Sequence, residues 1–131
     1  PQQLAADGVG HVVAELGPTI GACGFSSLAA TPAWLATDTA KAFTRAYIKT
    51  RNYMNDASAS EIAKAEKPLF PNIDLEVLTD CIATYQAMGC WTRHIDITQD
   101  GYDAMLNIFE YDGKLPHRYS YDQVCTLPPT I

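Results

Sequence analysis

Between Thr39 and Met54 the positions Ala40, Phe43, Tyr47, Thr50 and Met54 recur at steps of three and four. That spacing keeps one side of an α-helix turned toward a core, so a long helix is expected here. Lys41, Arg45 and Lys49 recur every four residues on another side, most simply a solvated face, with a docking surface as the other reading. Thr37, Asp38 and Thr39 supply capping oxygens and early negative charge. Lys49 and Arg51 stand near the far end, where the helix dipole favours cations. A run of small and hydroxylic residues from Cys23 to Ala30 precedes this helix.

A chain of 131 residues is one domain or a piece of one, because ~100 to 200 residues usually build a single core. Hydrophobic residues make up 47% of it, enough for a real core, and only 18% are charged. Fifteen acidic against nine basic groups give a formal charge of -6. Phosphate recognition draws its affinity from clustered Lys and Arg, so nucleic acid is not an expected partner. No run approaches the ~18 consecutive apolar residues of a bilayer span. The opening Pro1-Gln2-Gln3-Leu4 lacks the charged lead and apolar centre of a signal peptide. So abrupt a start is what a processed or truncated chain would show.

Cys23, Cys81, Cys90 and Cys125 form neither the C-x-x-C pair of a zinc or redox site nor a dense disulfide framework. Cys81 and Cys90 would lie about 13 Å apart on a straight helix, too far for a bridge without a chain reversal. Mostly free, buried thiols are expected, with a Cys90–Cys125 bridge as the alternative in an oxidising compartment.

Taken in order, Asp7-Gly8 and Gly10 open the chain, and His11 to Leu16 reads as a short strand closed by Gly17-Pro18. Phe25 to Ala30 reads as a second, buried strand. Thr31-Pro32 offers an N-cap and a first-turn proline for a short helix through Leu35. Ser58-Ala59-Ser60-Glu61 fits a capping box, and its helix should run to about Glu66 before Pro68. Asp74 caps a third helix with Leu75, Leu78, Ile82 and Tyr85 on one face and Gly89 beyond its end. Ile95-Asp96-Ile97 alternates as an extended segment. Thr98 begins a last helix with Tyr102, Met105, Leu106 and Phe109, ended by Gly113, and a Tyr- and Pro-rich tail follows from Lys114. The tail reads as an ordered wrap at first and a frayed end later.

Motifs for chemistry are weak. Gly8-x-Gly10-x-x-Val13 lacks the last glycine of a dinucleotide loop. Gly24-Phe25-Ser26-Ser27-Leu28 has Leu28 where a nucleophile elbow needs glycine, and His94 and His117 come with no triad-like context. The three histidines show no metal-ligand spacing, and the pairs Asp100/Asp103 and Glu110/Asp112 are ordinary helix-end carboxylates. No catalytic residue, metal or cofactor is expected from these patterns.

The order of the softer motifs points further. A G-x-x-F-S-x-L-x-A-T-like run leads into Ala42-Phe43-Thr44-Arg45-Ala46-Tyr47, then Glu61-Ile62, Phe70-Pro71, Ala83-x-Tyr85-x-x-Met88-Gly89-Cys90-Trp91 and Tyr121-Asp122. In this order the chain resembles the C-terminal part of the NMT1/THI5-like substrate-binding proteins, relatives of ABC-importer receptors for thiamin-pyrimidine precursors, sulfonates, taurine and nitrate. The resemblance covers nearly all of this chain and only the later part of the family.

It implies an α/β, helix-rich fold, the C-terminal segment of a type II periplasmic-binding-protein fold with four to five helices and two or three short strands. The chain would be a single region: residues 1–30 as hinge-crossing strands, 31–113 as the helical part and 114–131 as the tail. It implies a non-enzymatic, periplasmic or cell-surface receptor that closes on a small-molecule ligand and delivers it to an ABC permease. The return crossing would run from Val12 to Leu28. By position Phe25 would stack on a flat ligand while Ser26 and Ser27 donate to its polar edge. Core and sheet-end roles are the competing reading of these three. The family's fungal pyrimidine synthases carry a cysteine-rich C-C-C-F-C motif where this chain has Ala22-Cys23-Gly24-Phe25-Ser26, which weakens the synthase alternative. An autonomous helical interaction module is the third reading. A segment stripped of its other lobe would expose apolar faces, so self-association is expected, without tight ligand binding by this piece alone.

Overall fold

The computed structural model describes residues 2–129. Its elements are α1 (Gln2–Ala6), α2 (Gly17–Ile20), α3 (Pro32–Leu35), α4 (Asp38–Asp56), α5 (Ala59–Glu66), a 3-10 turn (Lys67–Leu69), α6 (Leu75–Ala87), α7 (Gln99–Tyr111) and α8 (Tyr121–Val124). Among the described residues there is no β-strand, so the fold is helix-rich and mostly α. The strands expected at 11–16 and 25–30 are instead irregular backbone, and the extended segment at 95–97 joins no sheet among the described residues. The physical reason is the want of a partner: a strand without a neighbour leaves its N–H and C=O groups to water. Val13, in the first of these segments, is 90% exposed.

The helices follow their local signals closely. Thr37 Oγ1 accepts from Ala40 N at the head of α4. Ser58 Oγ accepts from Glu61 N, while Ser58 N donates to the Glu61 carboxylate at 3.0 Å, completing the capping box of α5. Thr98 Oγ1 caps α7 through Gly101 N at 3.1 Å. The ends of α6 and α7 are released by Gly89 and Gly113, whose φ values of +67° and +68° suit residues without a side chain. The short α8, opened by a Ser120/Gln123 capping box, lies in the tail where no helix is expected from the sequence.

The chain divides into two compact units, Pro1–Leu16 with Lys49–Arg93, and Gly17–Ile48 with His94–Ile131. In the first, Ile62, Ala63, Leu78 and Ile82 form the buried core of α5 and α6, and Met54, Ala57, Ala59, Ile73 and Trp91 pack against it. The expected α6 face is recovered at its centre; Leu75 and Tyr85, at its ends, are 38% and 51% exposed. Lys67 Nζ donates to the carbonyls of Phe70, Pro71 and Ile73, closing the bend that carries the chain from the 3-10 turn toward α6.

In the second unit Tyr102 and Leu106 of α7 are buried, as are Ala40 and Thr44 of α4. The buried line of α4 thus passes through Ala40 and Thr44, whereas Phe43 is 45% exposed. Of the expected face Ala40 is buried and Tyr47 and Met54 are half-buried, whereas Phe43, which stacks on Tyr47, and Thr50 are exposed. The tail folds back on α7 through Tyr102 Oη, which donates to Tyr119 O at 3.0 Å, and through Arg118, which donates to Asp103, Asn107 and Glu110. All four cysteines are free; Cys90 is exposed and the others are half-buried. The expectation of free thiols holds, and that of burial is corrected to partial cover, with Cys81 at the centre of α6 and Cys23 in an irregular segment.

Candidate functional site

The stretch expected to meet a ligand lies in the second unit, anchored at one end to the first turn of α7. Gly24 N donates to Gly101 O at 2.9 Å. A Cβ on Gly24 would come within 3.2 Å of the Ile97 Cγ2 methyl, and one on Gly101 within 3.1 Å of Thr98 Oγ1, so both glycines serve this close approach. Beyond that anchor Phe25 turns outward, 67% exposed, with its ring stacked on Phe109 at 6.2 Å between centroids and 11° between planes. Ser26 and Ser27 are exposed beside it. These three residues are contiguous and present a ring face and two hydroxyls to solvent.

A few residues on, the surface is shallowly concave. Ala29, Ala30, Thr31 and Trp34 line an open hollow of about 390 Å³. Thr31 Oγ1 accepts from Trp34 N, capping α3, and the Thr37 hydroxyl donates to Trp34 O at 2.7 Å. The Trp34 backbone is thereby held from both sides. Its ring meets Phe43 edge-on at 6.0 Å, and Phe43 stacks on Tyr47 at 6.0 Å and 11°. Trp34 both packs on Phe43 and forms a wall of this hollow. Phe25, Ser26 and Ser27 do not line it. The signal available in the sequence was the pair of alanines before Thr31-Pro32, whose small side chains leave the Trp34 ring uncovered.

The first unit has a separate groove of about 330 Å³, lined by Asn72, Ile73, Val77, Leu78, Cys81 and Tyr85 among others. Its lining combines the aliphatic side chains of Ile73, Val77 and Leu78 with two amides, Gln3 and Asn72, a thiol and a phenol. Neither hollow holds a charged side chain in its lining, so both suit neutral, partly apolar molecules better than highly charged ones.

The ionisable groups with altered acidity lie elsewhere. Asp56 is held below the usual carboxylate range by its hydrogen bond and charge pairing with Arg93, whose own guanidinium is raised in turn. Glu61 is lowered by the Ser58 hydroxyl and N–H. Tyr121 is raised by burial first, then by the negative fields of Cys125, Asp96 and Asp122; its hydroxyl donates to Ile97 O. Burial also raises the Cys125 thiol. Each of these shifts is explained by a cap, an ion pair or packing. Among the described residues no group of three or more His, Cys, Asp and Glu side chains is placed to hold a metal ion.

The protein of Bacillus subtilis (strain 168) named "Putative binding protein YtlA" is 27% identical to this chain over 119 residues, which cover 89% of this chain and 36% of that protein. The chain thus spans about a third of that relative's length. No family model matches the chain, and no solved structure matches it.

Proposed function

We propose that this chain is a portion of the substrate-binding component of an ABC importer for a small organic ligand. The observation that carries the reading is the similarity, along 89% of the chain, to a Bacillus subtilis protein whose name describes a binding protein. The resemblance to receptors of the NMT1/THI5-like group points the same way. It suggests a thiamin-pyrimidine-like heterocycle, or a sulfonate- or nitrate-type anion, as the ligand. The lining chemistry favours the heterocycle: the exposed Phe25 ring and the hollow beside Trp34 offer flat apolar surface, with hydroxyls of Ser26, Ser27 and Thr31 nearby in sequence. On this reading the protein is a non-enzymatic receptor in the periplasm or at the cell surface and hands its ligand to a permease.

A receptor of this kind encloses its ligand between lobes, and burying most of a ligand's surface takes residues from both. The 131-residue chain alone should therefore bind weakly. Titration of the chain with an aminopyrimidine, followed by Trp fluorescence, should give a dissociation constant well above the micromolar range, and a longer polypeptide carrying the region that precedes it should bind far more tightly. Submicromolar binding by the 131-residue chain would contradict the two-lobe reading. If neither polypeptide binds aminopyrimidine, taurine or nitrate, the importer assignment loses its support.

A second reading, a helical interaction module, is favoured by the purely helical secondary structure of the described residues and by exposed apolar side chains such as Val13 and Leu16. It predicts no small-molecule binding by either polypeptide.

A further inference from the structure

The bend between the 3-10 turn and α6 is short of backbone donors. Pro68 and Pro71 carry no N–H. The backbone bonds across the bend are Phe70 N to Lys67 O and Ile73 N to Phe70 O, each 3.1 Å, and no backbone donor reaches Pro71 O or Ile73 O among the described residues. One side chain meets these carbonyls. Lys67 Nζ donates to Phe70 O at 3.3 Å, to Pro71 O at 3.0 Å and to Ile73 O at 2.5 Å. An ammonium carries three hydrogens and no acceptor, so three converging carbonyls use all of them. Among the described residues no carboxylate stands within ion-pair distance of Lys67. Its charge is met by carbonyl dipoles, as in sites where backbone carbonyls replace a cation's hydration shell.

We propose that residues 67–73 form a cation cradle selective for a primary ammonium, which the chain fills with its own Lys67, and that this occupancy fixes where Asn72 and Ile73 stand. Ile73 packs against the core of Ile62, Ala63, Leu78 and Ile82, and Asn72 and Ile73 both line the groove of the first unit. The cradle therefore sets one wall of that groove as well as the entry to α6. Without a cation, oxygens brought to one point would repel each other and lack a donor. The selectivity follows from shape. A guanidinium spreads its donors over a planar fork and cannot aim three of them at one cluster, whereas an ammonium is a compact point charge with three donors. A quaternary ammonium has the charge and no hydrogen to give. This role stands apart from the ligand reading, because no residue of the bend lines the hollow beside Trp34.

Two measurements on the 131-residue chain test it. In the unsubstituted protein, nitrogen-15 NMR of the lysine ammonium groups should show the Lys67 hydrogens exchanging with water roughly tenfold more slowly than those of Lys49, which is exposed. In Lys67→Ala the cradle is vacated, so the urea midpoint should fall. Methylammonium chloride should then recover roughly half of that loss, because it restores the three donors, and should return the amide shifts of Asn72 and Ile73 toward their original positions. Tetramethylammonium chloride at the same ionic strength should do neither, and methylammonium should leave the unsubstituted protein unchanged. Lys67→Met and Lys67→Arg should both be weakened and gain nothing from methylammonium, since their side chains obstruct the cradle. Folding of Lys67→Ala that requires methylammonium would support the cradle equally. Lys67 hydrogens exchanging as fast as those of Lys49 overturn the proposal whether or not the variants fold. So does an unchanged midpoint in Lys67→Ala, or a recovery that tetramethylammonium matches.

Discussion

Gln86 and Met54 are joined across thirty-one intervening residues: Gln86 Nε2 donates to the Met54 carbonyl at 2.9 Å, and to the Ala57 carbonyl at 3.0 Å. Met54 lies in the last turn of α4, where carbonyls have no partner within the helix. One side-chain amide on α6 therefore satisfies the end of one helix and the junction to the next. Gln86→Ala should lower stability by about 1–2 kcal/mol, because partly buried acceptors lose their donor. Gln86→Glu should cost more, since an ionised carboxylate has no hydrogen to give and faces two carbonyl oxygens. Urea unfolding midpoints at constant slope would measure both.

Ile82 sits at 3% exposure in the core shared by α5 and α6. Ile82→Ala should destabilise by about 3 kcal/mol through lost burial and the cavity left behind. Leu75→Ala, at the exposed end of the same helix face, should cost well under half of that. Thermal melts of the two variants side by side would separate a buried centre from a solvated edge.

Acid should weaken the first unit through Asp56 and Glu61. Both have folded-state acidities lowered by their partners, Arg93 and Ser58 respectively. Their stabilisation is therefore complete above the unfolded carboxylate values of about 4 and is lost as pH falls through the lower folded values. Glu61→Gln keeps an oxygen to accept the Ser58 bonds but cannot titrate. It should be less stable than the parent near pH 7, lacking the ionised acceptor, and converge on it in acid, with a shallower loss of denaturation midpoint between about pH 5 and pH 2.

Alkali should act on the second unit. Tyr121 and Cys125 are raised in the folded state, chiefly by burial. Groups shifted this way stabilise fully below their unfolded values, and the contribution falls away as pH climbs from there through the folded values. For a thiol that window opens near pH 8.5. Cys125→Ala should flatten the alkaline limb above that point while leaving stability near neutrality little changed.

Arg118 binds three side chains of α7, Asp103, Asn107 and Glu110. Arg118→Ala should loosen the tail without unfolding α7, because these bonds are partly exposed and screened by water. Amide exchange over residues 114–124 should speed up while the centre of α7, around Leu106, keeps its protection. Arg118→Lys should rescue little, since one ammonium cannot reach the partners that a forked guanidinium spans.

Helix positions were legible in the sequence because their causes are local. Thr37, Ser58 and Thr98 are caps that act within three residues, and Gly89 and Gly113 end α6 and α7 by their own backbone freedom. The candidate site was legible only in part. The exposure of Phe25 and its stacking on Phe109, eighty-four residues along the chain, follow from no local rule. The hollow beside Trp34 depends on how α3 and α4 meet through Thr37.

What the sequence by itself determined is where α3 to α7 begin and end, since capping, helix periodicity and glycine release are settled by neighbours a few residues apart. Only the tertiary structure decided which face of α4 is buried, that the tail wraps α7 through Arg118 and Tyr102, and that the strand-like segments stay unpaired. Burial and strand pairing both require a second surface, and a segment's own residues do not say whether one is there to meet it.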